Sequence, residues 1–139
     1  MSKGKLVANQ HDEIRLCVGR LRAIAQADGD RLEGAQLRRS ADQELGALAR
    51  LLTVHFAFEE QGGYMQWIVD ARPEMKPETE RLQRQHQEIL TEVAQIRSHV
   101  ADAPEADLKL AVGQVSERIT THDSAETTLL RMLGQPELS

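Results

Sequence analysis

Apolar residues recur at alternating steps of three and four along four stretches of the chain, and this spacing is typical of amphipathic helices. The first predicted helix spans roughly 5–27, and the second begins between 33 and 40 and ends at Gly62-Gly63. A short apolar segment follows over 65–69. The third predicted helix spans roughly 77–100, and the fourth continues from Asp102-Ala103-Pro104 to Met132. Four such helices with short connections predict an all-α, antiparallel up-down-up-down four-helix bundle.

Glycine and proline mark the predicted breaks between these helices. Asp28-Gly29-Asp30 is expected to end the first helix and Gly134-Gln135-Pro136 to end the fourth. The predicted core positions, which share the inward face of each helix, are His11, Ile14, Val18, Leu21 and Ala25; Leu45, Leu48, Leu52, His55 and Glu59; Leu82, His86, Ile89, Val93, Ile96 and Val100; and Leu108, Ala111, Val115, Ile119, His122, Glu126 and Leu129.

Composition supports a helical fold. The chain has 139 residues, the size of one domain, so we expect 1–139 to form a single unit. Aromatic residues make up only 3% and are confined to one window, whereas sheet proteins commonly use more of them. The core is therefore expected to consist of aliphatic side chains packed between helices. The aromatic residues are Phe56, Phe58, Tyr64 and Trp67.

Charge and cysteine content exclude several classes of protein. The net charge is −5 and no patch rich in lysine and arginine is present, which argues against a nucleic-acid partner. No apolar stretch approaches the length of a membrane span, and the first residues do not resemble an apolar signal region. Cys17 is the single cysteine, so a disulfide framework and a cysteine-based zinc site are excluded. We expect a soluble, cytoplasmic protein.

The positions of the histidines are the most informative feature of the sequence. His11, His55, His86 and His122 lie on the predicted apolar faces, one on each helix, whereas His99 is rotated away. For any one of them, a core imidazole hydrogen-bonded to a neighbour is the simpler interpretation. The joint pattern favours a different one. In an antiparallel bundle the four inward histidines meet at one level, near one end.

Two of these histidines are each followed four residues later by a glutamate. Glu59 follows His55 and Glu126 follows His122, so each carboxylate shares the inward helix face with its histidine. Buried carboxylates are costly to ionise without a cation. Imidazole and carboxylate donors together suit iron, manganese or zinc. Six ligands favour two metal ions, each with two histidines and with both glutamates bridging.

These residues resemble a known family. The segment His55-Phe56-Ala57-Phe58-Glu59-Glu60, then His86, then His122 with Glu126, resembles a hemerythrin-like (HHE cation-binding) domain over essentially the whole chain. His11 stands where that family has its first ligand. The resemblance implies a non-haem di-iron centre, with two iron ions and an oxo, hydroxo or water bridge, that binds dioxygen or small anions. It also implies terminal histidine ligands and bridging glutamates.

The chain departs from the oxygen-carrying hemerythrins at two positions. The carriers have a second histidine four residues from the one on the third helix, where this chain has Leu82 and Leu90. They also have an aspartate five residues after the last histidine, where this chain has Thr127, and Glu126 takes that role. One iron is therefore expected to have fewer protein ligands and more open positions. This favours sensing or redox chemistry over reversible oxygen storage.

Three functions remain open from the sequence. The first is a di-iron protein in oxygen, iron or nitric-oxide sensing or storage, and the second is a di-iron oxidoreductase with peroxidase-like activity. The third is a metal-free helical interaction module. A metal- or oxygen-binding protein is favoured over an enzyme, because no general base, nucleophile or phosphate-binding loop accompanies the site. A ferritin-like oxidase is disfavoured, because no histidine has a glutamate three residues before it. Protein partners and oligomeric state are left open.

Several residues next to the candidate ligands have simpler expected roles. Glu60 and Asp123 are expected to face solvent or to contact ligand imidazoles from outside. Phe56 and Phe58 flank the face formed by His55 and Glu59, so both are predicted to wall the metal pocket. Tyr64 follows the Gly62-Gly63 break, and its role is left open apart from packing. Cys17 is expected to be a small buried residue.

Overall fold

The computed structural model of the protein describes residues 3–27 and 34–133, and within these ranges it contains helices and no strands. Both Asp28-Gly29-Asp30 and Gly134-Gln135-Pro136 lie outside the described residues. The described residues form five α-helices and one short 3₁₀ helix: α1 Lys3–Gln26, α2 Gly34–Gln61, α3 Tyr64–Ala71, the 3₁₀ helix Pro73–Met75, α4 Lys76–Ser98 and α5 Glu105–Met132. The four long helices correspond to the four predicted ones, and the short apolar segment forms α3.

The turn between α2 and α3 requires both of its glycines. Gly63 has a φ of 82°, in the left-handed region that side chains disfavour. A Cβ atom on Gly62 would lie 2.3 Å from the Phe58 carbonyl oxygen, and the Gly62 N–H donates a hydrogen bond to that oxygen. The turn therefore ends α2 at Gln61, shortly after Glu59 and Glu60.

Contacts between the long helices show that neighbours run antiparallel. Between α1 and α2, Gln10 contacts His55 and Arg20 contacts Glu44, so residue numbers rise along one helix as they fall along the other. The other three neighbouring pairs follow the same rule. The contacts are Arg22–Glu117 and His11–Glu126 between α1 and α5, Arg97–Asp42 and His86–Glu60 between α4 and α2, and Arg118–Glu92 and His122–Gln85 between α5 and α4. The four helices thus form a closed ring in the order α1, α2, α4, α5, which confirms the predicted bundle.

The predicted core faces are buried in the structure. Every predicted core position is buried except Ala25 and Ala111, which are half-buried and pack against the core. His99, predicted to point away, is exposed. One large aliphatic cluster fills most of the bundle, and a smaller one lies under α3 around Ile68 and Leu82. None of the described helices has a stretch long and apolar enough to span a membrane.

Candidate metal centre

Six polar side chains converge in the interior of the bundle, between the two apolar clusters. They come from all four long helices, and each is at most 6% exposed. The antiparallel arrangement places an early position of α1 and α4 level with a late position of α2 and α5. The structure thus brings together all six residues predicted from the sequence: His11, His55, Glu59, His86, His122 and Glu126.

One group of candidate ligands joins α1, α2 and α5. His11 Nε2 lies 3.0 Å from His55 Nε2 and 3.1 Å from Glu126 Oε1. His55 Nε2 is 3.7 Å from the same carboxylate oxygen. One ligand atom from each of these three buried residues lies within 4.8 Å of the others, a spacing that could hold a metal ion.

A second group of candidate ligands joins α4 and α5. It consists of His86, His122 and Glu126, again with one ligand atom from each within 4.8 Å of the others. His122 Nε2 lies 3.5 Å from Glu126 Oε2, the oxygen that the first group does not use. Glu126 therefore belongs to both groups and presents one carboxylate oxygen to each.

Glu59 also lies between the two groups. Its Oε1 atom is 3.2 Å from His55 Nε2 and 3.5 Å from His86 Nε2, so it faces one imidazole of each group. Neither Glu59 oxygen has a well-formed hydrogen bond to the described residues. This position suits a carboxylate that bridges two cations.

The outward ring nitrogens of three imidazoles are held by acceptors. His55 Nδ1 donates to Gln10 Oε1 at 2.7 Å, and His122 Nδ1 donates to Gln85 Oε1 at 2.7 Å. His86 Nδ1 donates to the Glu60 carboxylate at 3.0 Å. A ring that donates from Nδ1 in its neutral form has a lone pair on Nε2, and in these three imidazoles Nε2 points into the site.

These lone pairs provide a direct test of whether a cation fits. His86 Nε2 and His122 Nε2 are buried without a hydrogen-bond partner, and both face carboxylate oxygens, which are also acceptors. Buried acceptors that face one another are unfavourable unless a proton or a cation lies between them. The donor set is therefore suited to metal ions, and the alternative of simple hydrogen-bonded core histidines does not explain these two atoms.

The electrostatics of the two carboxyl groups support the same conclusion. Burial, followed by the nearby Glu126 carboxylate, raises the pKa of Glu59 well above 4.5. Burial acts in the same direction on Glu126, but its polar interactions with Glu59 and with the imidazoles of His11, His122 and His55 outweigh burial and hold the pKa of Glu126 well below 4.5. A bound cation would favour the ionised form of both carboxyl groups.

The roles of Gln10 and Gln85 were not predicted from the sequence, although the sequence contains a pattern that marks them. Gln10 and Gln85 each immediately precede a candidate ligand, and each bonds to the candidate ligand of the neighbouring helix. The repeated Gln-His dipeptide on α1 and α4 is that signal. Glu60 and Asp123 also adjoin candidate ligands. Glu60 contacts His86, and Asp123 Oδ1 lies 3.6 Å from His11 Nδ1, so both act on the imidazoles from outside.

The two phenylalanines occupy different places. Phe56 stacks on His86 and lines a cavity of about 20 Å³ beside His11, His55 and Glu126. Phe58 instead packs against the apolar cluster under α3 and does not contribute to that cavity. The helical rotation between the two residues places only Phe56 at the site, so the prediction that both wall the pocket holds for Phe56 alone.

A protein-family comparison matches residues 4–133 to Hemerythrin, the hemerythrin HHE cation-binding domain. The chain belongs to this family. The match covers all four long helices and all six candidate ligands, so the resemblance seen in the sequence is confirmed. A hemerythrin HHE domain is a cation-binding unit, and the buried His/Glu groups described above could hold the cations. Comparisons with curated proteins and with solved structures found no significant match.

The hemerythrin fold of this chain also locates its departures from the oxygen carriers. Leu82 is fully buried in the apolar cluster under α3, and Leu90 is half-buried against the main core. Neither side chain can donate to a metal. The α4 helix therefore brings one imidazole, that of His86, to the site.

Proposed function

We propose that this hemerythrin-family protein binds two iron ions and uses them to bind dioxygen or a related small ligand, in oxygen, iron or nitric-oxide sensing or storage. The observation that carries the proposal is the position of Glu126, which belongs to both groups of candidate ligands. Its two oxygens point to different groups, as expected for a carboxylate bridge. His11 and His55 would hold one iron, His86 and His122 the other, and Glu59 would be the second bridge.

The number of protein ligands supports a role in ligand binding. Each group supplies two imidazoles, and the two glutamates are shared, so neither cation would be fully surrounded by protein. Iron in such sites commonly accepts six ligands, which leaves positions for water, dioxygen or an anion. The cavity lined by Phe56 lies beside these positions and is large enough for about one small molecule.

The protein side chains would orient the ligands and limit access of water. Gln10, Gln85 and Glu60 fix the ring orientation of three imidazoles, and this increases the basicity of the inward nitrogens. Phe56 and the neighbouring Leu52 line the cavity with apolar surface, which excludes protons and bulk water from the site. When bound, a pair of ferrous ions can supply the electrons that dioxygen binding requires.

Optical spectroscopy after anaerobic loading with ferrous iron tests the proposal. We expect the loaded protein to change its visible spectrum on exposure to dioxygen or nitric oxide. His122→Ala should lose iron and the spectral change, because it removes a buried ligand whose Nε2 faces Glu126. His99→Ala is the matched control, since His99 is exposed and lies outside the site, and it should behave as the wild type. An identical spectrum for His122→Ala would contradict the proposal.

An oxidoreductase with peroxidase-like activity is the second candidate for the same centre. It is favoured by Leu82 and Leu90, which cannot bind a metal and so leave α4 with one imidazole and the iron beside it with a position open to a reacting molecule. Turnover of hydrogen peroxide by the iron-loaded protein, lost in His122→Ala and retained in His99→Ala, would support it.

In either case we propose a cytoplasmic location, which agrees with Cys17 as a free thiol.

A further inference from the structure

A surface groove runs between α1 and α5 and ends beside the metal centre. Its volume is about 190 Å³, and its walls include the apolar side chains of Ile14, Val18 and Ile119. Gly19 also lines the groove and contributes no side chain to it. A Cβ atom built on Gly19 would have no neighbour within 4 Å. A side chain added there would therefore extend into free space without disturbing the backbone.

The groove and the cavity at the metal centre share part of their lining. Ile14, Ile119 and Asp123 contribute to both. Ile14 and Ile119 are 6% and 4% exposed, so they form a thin apolar partition between the groove and the buried imidazoles. Movement of these two side chains would connect the two spaces.

An ion pair lies at the point where the groove meets the site. Arg15 donates two hydrogen bonds to Asp123 Oδ2, at 3.1 and 3.0 Å. The other oxygen of Asp123 is 3.6 Å from His11 Nδ1. The ion pair therefore joins α1 to α5 directly over the candidate ligand His11. Further along the groove, Arg22 donates to Glu117 and Thr120.

A second groove, between α4 and α5, also approaches the site but has a different character. Its volume is about 530 Å³ and its lining includes Glu88, Glu92 and Glu117. It reaches His122 together with Gln85, which accepts the hydrogen bond from His122 Nδ1. This groove therefore meets the outward edge of the imidazole and not the nitrogen that faces the metals. Neutral diatomic gases partition into apolar spaces, so the α1–α5 groove suits them better.

We propose that neutral diatomic gases reach the metal centre through the α1–α5 groove, by passing between Ile14 and Ile119 beneath the Arg15–Asp123 ion pair. Binding of such a gas at the centre rests on the function proposed above, whereas occupancy of the groove by an apolar gas does not. Gly19 lines this groove with free space beside it, and the ion pair joins α1 to α5 at the inner end of the groove.

Filling the groove from Gly19 tests the route. Gly19→Ala adds one methyl group and Gly19→Leu adds a side chain long enough to occupy the groove. In the iron-loaded protein, the association rate of nitric oxide should fall modestly in Gly19→Ala and about tenfold or more in Gly19→Leu. The dissociation rate should fall by the same factor, because an obstacle on a route slows entry and exit equally and leaves Kd unchanged.

The matched control is Gly113→Ala. Gly113 also lies between α1 and α5 but beyond the groove, and its added Cβ atom would meet Ala25 at an ordinary distance of 3.7 Å. Gly19→Ala and Gly113→Ala both replace a helical glycine by alanine, so they raise helix propensity by the same amount. The control should keep wild-type association and dissociation rates. Rates for Gly19→Leu within twofold of wild type, in protein with an unchanged iron content, would overturn the proposed route.

An experiment on metal-free protein tests the proposed route independently of the proposed function. Xenon is an apolar probe that occupies dry cavities. In crystals of metal-free protein under xenon pressure, we expect xenon in the α1–α5 groove or behind Ile14 and Ile119, and none there in Gly19→Leu. Equal occupancy in both proteins, or xenon in neither, would overturn the route. Failure to bind iron would contradict the proposed function, and the xenon result would still decide the route.

Discussion

The ring of Phe56 stacks on the imidazole of His86, with ring centroids 3.8 Å apart and planes within 8° of each other. The same phenyl ring meets the edge of His122 at 5.7 Å. One aromatic side chain thus packs against both imidazoles of the α4–α5 group and also lines the neighbouring cavity. It fixes the ring planes and keeps water from the inward nitrogens.

Replacing Phe56 should therefore affect the chemistry of the site. Phe56→Leu removes the stacking surface and enlarges the cavity, so we expect faster oxidation of the ferrous protein by air, measured by its visible spectrum. A loss of about 1 kcal/mol in the free energy of unfolding is also expected. Phe58→Leu is the control, because Phe58 packs in the cluster under α3, and it should lower stability without changing the oxidation rate. Equal oxidation rates for both variants would contradict this role.

Glu60 should tune the affinity of the α4–α5 group for metal. Its carboxylate accepts the Nδ1 proton of His86, whereas His55 and His122 bond to neutral glutamine amides. Loss of such a partner typically weakens metal binding by 10–100-fold. Since the Glu60 side chain is one-third exposed, we expect Glu60→Gln to weaken ferrous binding by about tenfold, measured by chelator competition.

A matched control for Glu60→Gln is Glu13→Gln, which removes the same charge from an exposed position on α1. It should leave ferrous affinity within experimental error of wild type. If both variants weakened binding equally, the effect would come from net charge and not from the hydrogen bond to His86.

Glu59 should destabilise the protein when no cation is bound. Burial raises the pKa of Glu59 above 4.5, so the stability of the metal-free fold decreases as the pH rises above that value. Glu59→Gln keeps the shape and removes the ionisation. We expect the metal-free variant to unfold a few degrees above metal-free wild type at pH 7, by calorimetry, and to bind less iron. A lower unfolding temperature for the metal-free variant would show that the carboxyl group stabilises the fold.

Cys17 should be unreactive in the folded protein over the physiological pH range. Burial, aided by the Glu44 side chain, raises the pKa of the Cys17 thiol from 9.0 to about 11. Alkylation by iodoacetamide at pH 8 should be far slower in folded than in unfolded protein, because the thiolate is the reactive form. The contribution of this thiol to stability is complete below pH 9 and is lost as the pH rises to about 11. Rapid alkylation of folded protein at pH 8 would contradict this assignment.

The sequence predicted the bundle because its apolar spacing is regular. Leu45, Leu48 and Leu52, for example, follow one another on one face of α2 at steps of three and four residues, and each of these side chains is buried. The six polar residues on the same faces could be identified by the same rule, since an inward helix face admits charge only with a partner. Their convergence followed from antiparallel topology.

Contacts made at the edges of the helix faces could not be predicted in the same way. Phe56 and Phe58 lie two residues apart, about 200° around the helix, so a small rotation decides which one reaches the site. Gln10 and Gln85 reach across to neighbouring helices, and such contacts depend on the distance and rotation between helices. The α3 helix, Tyr64–Ala71, is also longer than the apolar segment over 65–69, because the helix begins directly at the Gly62-Gly63 turn.

Glu126 is shared by the two groups of candidate ligands, and we propose that it bridges two metal ions. The most direct test of this proposal is the number of iron ions per chain, measured by elemental analysis after anaerobic loading and removal of unbound metal. We predict two irons per chain in wild type and in His99→Ala, and nearly none in Glu126→Ala. One iron or none in folded wild-type protein, or two irons retained in Glu126→Ala, would contradict it.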